Sequence, residues 1–437
     1  MTALLALCAL SNALRADESP KPNILMIVSD DQGWADIGYN GSEIDTPHLD
    51  RLAETGVRLD RHYVFPTCSP TRAALLTGRN PSRFKIHGPI GGRSKHALPK
   101  QTVTLADALG AAGYFTAISG KWHLGLRPEV GPKQYGFESS YGYLHGQIDQ
   151  HTHRYKNGDR TWHRQDTFVD EPGHATDLIT DEAVRVIEQQ RDRPFFLYVT
   201  YSVPHFPLQE ADEWISKYDG RIPNTDRKQF AASVTHMDAA IGRMIRALDD
   251  SGKRKSTLII FTSDNGGQKE WRPGSQYEGK HGPNLVLGSN HPLRGWKGQV
   301  YEGGVRVPAL VNWPGRLKPG VVQETISAMD WFPTLASLCG FEADVAWKLE
   351  GLDAWPLISG VAVAAFPNRT LYWNTGSHFA VLRDKWKLIE RSREQSPAYE
   401  LFNLLEDPFE KQNLIDQPNG RLEELKQALD AQKQLDR

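Results

Sequence analysis

Two stretches of the chain are apolar without alternation and then break into oxygen-bearing side chains: NILMIVSDDQGW at residues 23–34 and STLIIFTSDNGG at 256–267. A short run rich in Ile and Val, bounded by a polar turn, is the pattern of a strand buried on both faces. TLADALGAAG followed by YFTAISGKWH (104–123), and DLITDEAVRVIEQQRDR followed by PFFLYVTYSVPH (177–205), each join a helical period to another apolar run. This alternation predicts an α/β domain with a largely parallel sheet. Ligands of such sheets gather at the carboxyl ends of the strands. SDD, SDN, GKWH and SVPH all fall at those predicted ends.

The pattern changes after Glu350, where GLDAWPLISG and the step Pro367, Asn368, Arg369 read as a connection. Beyond it, TLYWN, FAVLRDKWKLIE and AYELFNLLEDP read as short antiparallel strands, and a helix is predicted from about Gly420. A catalytic domain over residues 17–355 and a C-terminal subdomain over 356–437 are therefore expected. The first residues, MTALLALCALSNALRA, are apolar from Ala3 to Leu10 and end in small side chains, which resembles a secretory signal over residues 1–16. That reading places the protein in a secreted or periplasmic location. No later segment reaches about 18 uninterrupted apolar residues, so no membrane span is expected.

Charge narrows the chemistry. The 51 Lys+Arg against 53 Asp+Glu leave a net charge of -2, so there is no broad basic field for nucleic acid and anion recognition must be local. Of 3 cysteines, Cys8 would leave with the leader, and the remaining Cys68 and Cys339 make no disulfide framework. Cys339 reads as a small buried residue before the Gly340 helix stop.

Asp30, Asp31, Asp264 and Asn265 are paired oxygen ligands after two similar strands, a set that suits Ca²⁺ ahead of Mg²⁺. Lys121, His123, His205 and Lys297 lie in the other strand-end segments or in a later glycine-rich loop. Such side chains can hold the oxygens of a tetrahedral anion, protonate its leaving group or, for a neutral histidine, act as base. In PTCSPTRAALLTGR (66–79), Pro70 fits the first turn of a helix, so Cys68 sits at a helix N-terminus with Arg72 near it. From the residues alone, a structural cysteine and a low-pKa thiolate nucleophile both remain open.

CSPTRAALLTGR resembles the C-x-P-x-R signature of the type I sulfatases, a family of the alkaline-phosphatase-like superfamily. SDDQGW, GKWHLG, SVPHFP, TSDNGG and WKGQVYEGGVRVPALVNWPG resemble the family's other segments in order, from about Asn23 to Pro314. The resemblance implies a large mixed sheet sandwiched by helices and a small C-terminal antiparallel sheet. It also implies that a maturation enzyme converts Cys68 to Cα-formylglycine. Asp30, Asp31, Asp264, Asn265 and the modified Cys68 would hold Ca²⁺, and Arg72 would orient the aldehyde hydrate. Lys121, His123, His205 and Lys297 would contact sulfate, one or more acting as acid or base. The hydrate has two hydroxyls on one carbon, so one can attack sulfur and the other can later drive sulfate off. Thr71 stands where the family commonly has serine.

SNHPLRGWKGQVYEGGVR and GYLHGQIDQHTHRY resemble the arylsulfatase B branch, the N-acetylgalactosamine-4-sulfatases. That implies a sulfated glycan as substrate. Sugar-facing candidates are His145, His151, His153, Trp271, Arg272, His291, Arg294 and Trp296, since aromatic faces and forked donors suit pyranose rings and acidic groups. The alternatives are a phosphomonoester or phosphonate-ester hydrolase of the same superfamily and a non-catalytic glycan-binding relative. The last predicts losses among the metal, nucleophile and sulfate-binding positions, and none is missing.

Overall fold

The computed structural model describes residues 21–361, 366–392, 397–418 and 420–436. The expected leader over residues 1–16, with Cys8, lies outside the described residues. The strands in chain order are β1 (Asn23–Ser29), β2 (Val57–Tyr63), β3 (Phe115–Lys121), β4 (Ser139–Tyr143), β5 (Trp162–Arg164), β6 (Thr167–Phe168), β7 (Phe195–Thr200), β8 (Thr257–Ser263), β9 (Ala309–Asn312), β10 (Gly320–Ser327), β11 (Leu371–Asn374), β12 (His378–Arg383), β13 (Trp386–Arg391) and β14 (Ala398–Asn403).

The first ten form one sheet in the spatial order β10-β2-β9-β8-β1-β7-β3-β4-β5-β6. Its centre, β8-β1-β7-β3-β4, is parallel throughout. The sheet as a whole is mixed: β9 runs antiparallel to β2 and β8, and β5 and β6 pair antiparallel at the other end. The cause is the connection. Between β8 and β9 the chain makes a long loop with only short helical turns, so it re-enters the sheet from the end it left rather than crossing over on a helix.

Period-two alternation splits the core into two layers. Ile24, Met26 and Val28 of β1 join the apolar cluster of the helices Cys68–Thr77, Leu105–Ala111 and Trp331–Leu338. Leu25 and Ile27 face the opposite cluster, with Ala175–Gln189, Thr225–Asp250 and Pro47–Glu54. Cys339 closes the Trp331–Leu338 helix, buried as expected, and its sulfur accepts from the Tyr114 hydroxyl at 3.0 Å.

His62 on β2 is enclosed in the first layer. Trp331 Nε1 donates to its Nε2 at 3.0 Å, which leaves the ring proton on Nδ1, 3.2 Å from Thr262 Oγ1. Burial pushes its pKa down to about 3. The unfolded chain thus takes up a proton below about 6.5 that the folded chain refuses. Stability is lost as pH falls from there toward 3, by about 1.4 kcal/mol per unit from this group. Urea unfolding between pH 7 and 5 should therefore show a shallower pH dependence in His62→Gln than in the wild type.

The last four strands make a separate antiparallel sheet, β11-β12-β13-β14. FAVLRDKWKLIE, apolar at both ends, is a hairpin that turns at Asp384 and Lys385, both at positive φ. One face of this sheet packs Tyr372, Val381, Leu388 and Leu401 against Leu425 and Leu429 of the helix Arg421–Leu435. The other face, with Trp373, Ala380, Ile389 and Phe402, belongs to the same apolar cluster as β1. The subdomain therefore shares a core with the large sheet. Among the described residues no helix is long and apolar enough to cross a membrane.

Candidate active site

The carboxyl ends of β1, β8, β3 and β7 bring the strand-end residues together. Backbone bonds lock the loops to each other: Asp30 N–H donates to Val203 O at 3.1 Å and Asp264 N–H to Ser29 O at 3.0 Å. The loop of Lys297 is tied to the one after β8 through Lys297 N–H to Gly267 O at 3.1 Å, and to the segment before Cys68 through Gly298 N–H to Pro66 O at 2.7 Å. Gly120, at φ 120°, admits the close pass of β7 just before Lys121, since a Cβ there would lie 1.9 Å from Thr200 O.

Cys68 opens its helix, with Pro70 in the first turn as the sequence predicts. The Thr71 hydroxyl accepts from Phe65 N–H at 2.8 Å, holding the segment that leads in. Burial pushes the Cys68 thiol up, and Lys121 and Lys297 oppose this only in part. A thiolate nucleophile is accordingly disfavoured. Arg72, four residues on, is fully buried; its Nη2 and Nε donate to Asp264 Oδ2 at 2.8 and 3.2 Å, and its Nη1 to Lys121 O at 2.9 Å.

Three carboxylates meet three cations in this dry pocket. Lys121 Nζ lies 2.7 Å from Asp30 Oδ2, and Lys297 Nζ lies 2.7 Å from Asp31 Oδ2. Burial, then the charge of Asp264, raise Asp30 to about 8. Burial acts the same way on Asp31, but the charge and hydrogen bond of Lys297, with the Asn265 amide, oppose it, and the group lies at about 2. Asn265 Nδ2 donates to Asp31 Oδ1 at 2.8 Å, which turns its own Oδ1 away. Asp30 Oδ1 and Asn265 Oδ1 are buried without a hydrogen-bond donor.

The histidines are neutral and oriented. His123 Nε2 donates to Ile90 O at 2.8 Å, leaving Nδ1 as a buried acceptor without a partner. Burial, with Lys121 and Arg72 adding to it, depresses its pKa well below the usual value. His205 Nδ1 donates to Phe206 O at 2.7 Å, so its Nε2 faces Asp31 Oδ2 at 3.7 Å as acceptor against acceptor. Burial and then Lys297 keep it unprotonated. Asp30, Asp31 and His205 place their ligand atoms within 4.8 Å of one another. Orphaned acceptors that converge in this way fit a cation.

The sugar-facing candidates divide. His145 stands beside the cluster: Gly146 packs on the His123 ring, and His145 lines a cavity of ≈ 490 Å³ with Arg93, Arg127, Arg160 and Phe168. His151, Arg272 and His291 are exposed, and Trp296 is half-buried in the Lys297 loop. Three others are committed elsewhere. His153, 2% exposed, stacks on Trp162 and donates to Gly173 O. Trp271, 4% exposed, stacks on Phe206 at 4.0 Å, supporting the His205 loop from behind. Arg294 reaches Glu400, the Glu410 carbonyl and the Tyr301 ring, so it ties the Lys297 loop to the small sheet. His153 and Trp271 are thereby buried in packing, whereas Arg294 keeps an exposed side chain that lines a cavity with Pro292 and Phe409.

Sequence reasoning passed over the groups that hold the loops. Asp36 accepts from Gly33 and Ser289 N–H and pairs with Arg227 at 2.7 Å, joining the segment after Asp31 to the one before Lys297. Glu302 accepts from Tyr63 OH at 2.8 Å and Lys387 at 2.9 Å, while its N–H donates to Glu410 at 2.7 Å. Glu302 lies inside the segment WKGQVYEGGVRVPALVNWPG and Asp36 two residues past SDDQGW, and the burial of both is visible only in three dimensions.

Buried carboxylates, fixed lysines and neutral histidines gathered at the strand ends beside a helix start suit chemistry on an ester of a tetrahedral oxyanion. A family model described as Sulfatase matches residues 22–341, and one described as N-sulphoglucosamine sulphohydrolase, C-terminal, matches 294–435. Arylsulfatase J of Mus musculus is 35% identical over 78% of this chain, which spans 56% of that relative's length. Arylsulfatase A of Bos taurus is 34% identical and aligns with 100% of this chain and 91% of its own. N-acetylgalactosamine-6-sulfatase of Mus musculus is 33% identical over 81% of this chain and 69% of its own. The solved structure of Ps i-CgsB in complex with k-i-k-neocarrahexaose superposes with a TM-score of 0.84 at 30% identity, covering 96% of this chain and 94% of that one. The chain belongs to the sulfatase family, whose members are sulfuric ester hydrolases.

Proposed function

We propose that the protein is a formylglycine-dependent, calcium-assisted sulfatase of a sulfated glycan, with 4-sulfated N-acetylgalactosamine favoured and other sulfated galactose-type sugars as alternatives. The observation that carries the reading is that Asp30 Oδ1 and Asn265 Oδ1, at the ends of adjacent strands, are buried without a donor, with Asp31, Asp264 and Cys68 as neighbours. Those four side chains and position 68 would hold the ion. A set of several protein oxygens favours Ca²⁺ over Mg²⁺, which keeps more of its waters, and when bound it would supply Lewis-acid polarisation of a sulfate oxygen.

Arg72 holds Asp264 and the Lys121 carbonyl in register beside position 68, where a maturation enzyme would install the aldehyde. Lys121 and Lys297 supply fixed positive charge for the sulfate oxygens. His123 and His205 each keep one ring nitrogen free of protein donors, available to take or return a proton at the ester oxygen. The cavity beside His145, lined by Arg93, Arg127 and Arg160 together with Glu129 and Asp159, supports a polar saccharide over a small aryl sulfate. Export to a secreted or periplasmic location belongs to the same proposal, on the apolar run from Ala3 to Leu10.

The test is sulfate release by matured protein from a panel of defined oligosaccharides bearing 4- or 6-sulfated N-acetylgalactosamine or sulfated galactose, beside aryl sulfate and phosphate esters. The expected result is fastest turnover on a 4-sulfated glycan. Rapid hydrolysis of aryl sulfate with none from any glycan rejects the substrate assignment, and preference for phosphate rejects the reaction.

A further inference from the structure

Outside the catalytic cluster, His174, Glu210 and His236 bring ligand atoms within 4.8 Å of one another. They come from three elements. His174 is the N-cap of Ala175–Gln189, Glu210 follows the His205 loop, and His236 sits mid-way along Thr225–Asp250. The side chain of Glu210 is 1% exposed and those of His174 and His236 are 9% and 6%. Glu210 Oε2 lies 2.7 Å from His236 Nδ1. Its Oε1 and His174 Nε2 face each other at 3.7 Å, both buried and neither with a hydrogen-bond partner. Buried polar atoms are rarely left in that state, and a shared cation would satisfy both.

We propose that His174 Nε2, Glu210 and His236 Nδ1 form a Zn²⁺ site separate from the catalytic metal. Two imidazoles and a carboxylate make a donor set of zinc type rather than calcium type. Tetrahedral ligands at about 2.0–2.1 Å from zinc sit roughly 3.3 Å apart, a spacing that 2.7 and 3.7 Å bracket. Asp177 Oδ1 lies 3.5 Å from His236 Nε2, the place of the carboxylate that commonly holds a ligating histidine by its other N–H. The exposed His151, its ring centroid 5.2 Å from that of His174, is a further imidazole near this histidine, and water would otherwise complete the fourth position.

Occupation has a defined proton balance. His174 Nδ1 accepts from Thr176 N–H at 3.2 Å, so in the metal-free form the ring proton is on Nε2. Zinc entry moves that proton to Nδ1, ends the Thr176 bond, and releases to solvent the proton that His236 holds between Glu210 and Asp177. The ion would pin the segment after His205 to the long helix, a positioning role at a distance from the reacting atoms.

The experiment uses untagged full-length protein, stripped by chelator, reloaded with Ca²⁺ and titrated with ZnCl₂ by calorimetry, with Co²⁺ as a spectroscopic substitute. The wild type should bind one Zn²⁺, melt at higher temperature with it, and give with Co²⁺ the visible absorption of a four- or five-coordinate ion. Glu210→Gln and His174→Asn should lose all three signals with unchanged far-UV circular dichroism, asparagine being itself a good helix cap. Asp31→Asn, in the catalytic cluster, should keep them. No uptake by the wild type at micromolar zinc, uptake undiminished in both cluster variants, or loss in Asp31→Asn overturns the site.

Discussion

Cys68→Ala should lower sulfatase turnover by on the order of 10⁴-fold or more, as removal of a covalent nucleophile does, with little change in stability because the site is small and the helix start is intact. The active wild type should carry formylglycine at position 68. Its peptide should then be about 18 Da lighter than the encoded cysteine form, a covalent change visible by mass spectrometry. Cys68→Ser, where it escapes conversion, should release a burst of one equivalent of alcohol and then stop. A lone hydroxyl can accept the sulfuryl group but has no neighbouring hydroxyl to expel it. Full activity with intact Cys68 would falsify the aldehyde reading, and multiple turnover by the unconverted serine form would reject the two-hydroxyl argument.

Asp264→Ala should abolish turnover and calcium retention and also destabilise the fold by about 3–5 kcal/mol, the usual consequence of stripping one partner from a buried ion pair. Arg72 and Asp264 are both fully buried, and the two guanidinium N–H groups that share Asp264 Oδ2 have no route to water once the carboxylate is gone. The stability loss and the catalytic loss are separable. In Asp264→Ala with Arg72→Met, the urea midpoint should recover in part while turnover stays absent, because the stranded charge is removed and the ligand is not restored. A single variant with full activity and wild-type calcium content removes Asp264 from the metal set.

Much of this arrangement is legible in the chain because burial on both faces leaves an unbroken apolar run, and the first polar residues after it must be where the strand emerges. β1 and β8, read that way, pair along their whole length and deliver Asp30, Asp31, Asp264 and Asn265 to one spot. The helix at Cys68 was equally readable, since proline in a first turn is a local constraint. The direction of β9 was not. Its four residues look like any short apolar strand, and only the path of a loop of more than 40 residues decides which way they run. Nor could composition separate His145, beside the cluster, from His153, stacked on Trp162, since both are histidines of one polar loop. Asp36 and Glu302 were hidden for the converse reason. A carboxylate looks solvent-exposed until its partners, Arg227 and Lys387, arrive from 191 and 85 residues away.

Arg294 and Glu302 flank Lys297, and each is anchored on the small sheet or the turn beyond it, through Glu400, Glu410 and Lys387. The two family matches overlap over residues 294–341, so this loop lies within both. Mechanically, the last third of the molecule is the jig in which Lys297 is clamped. A graft between relatives cut at the expected boundary after residue 355 would separate that lysine from its clamp, whereas one that begins before Arg294 would carry both together.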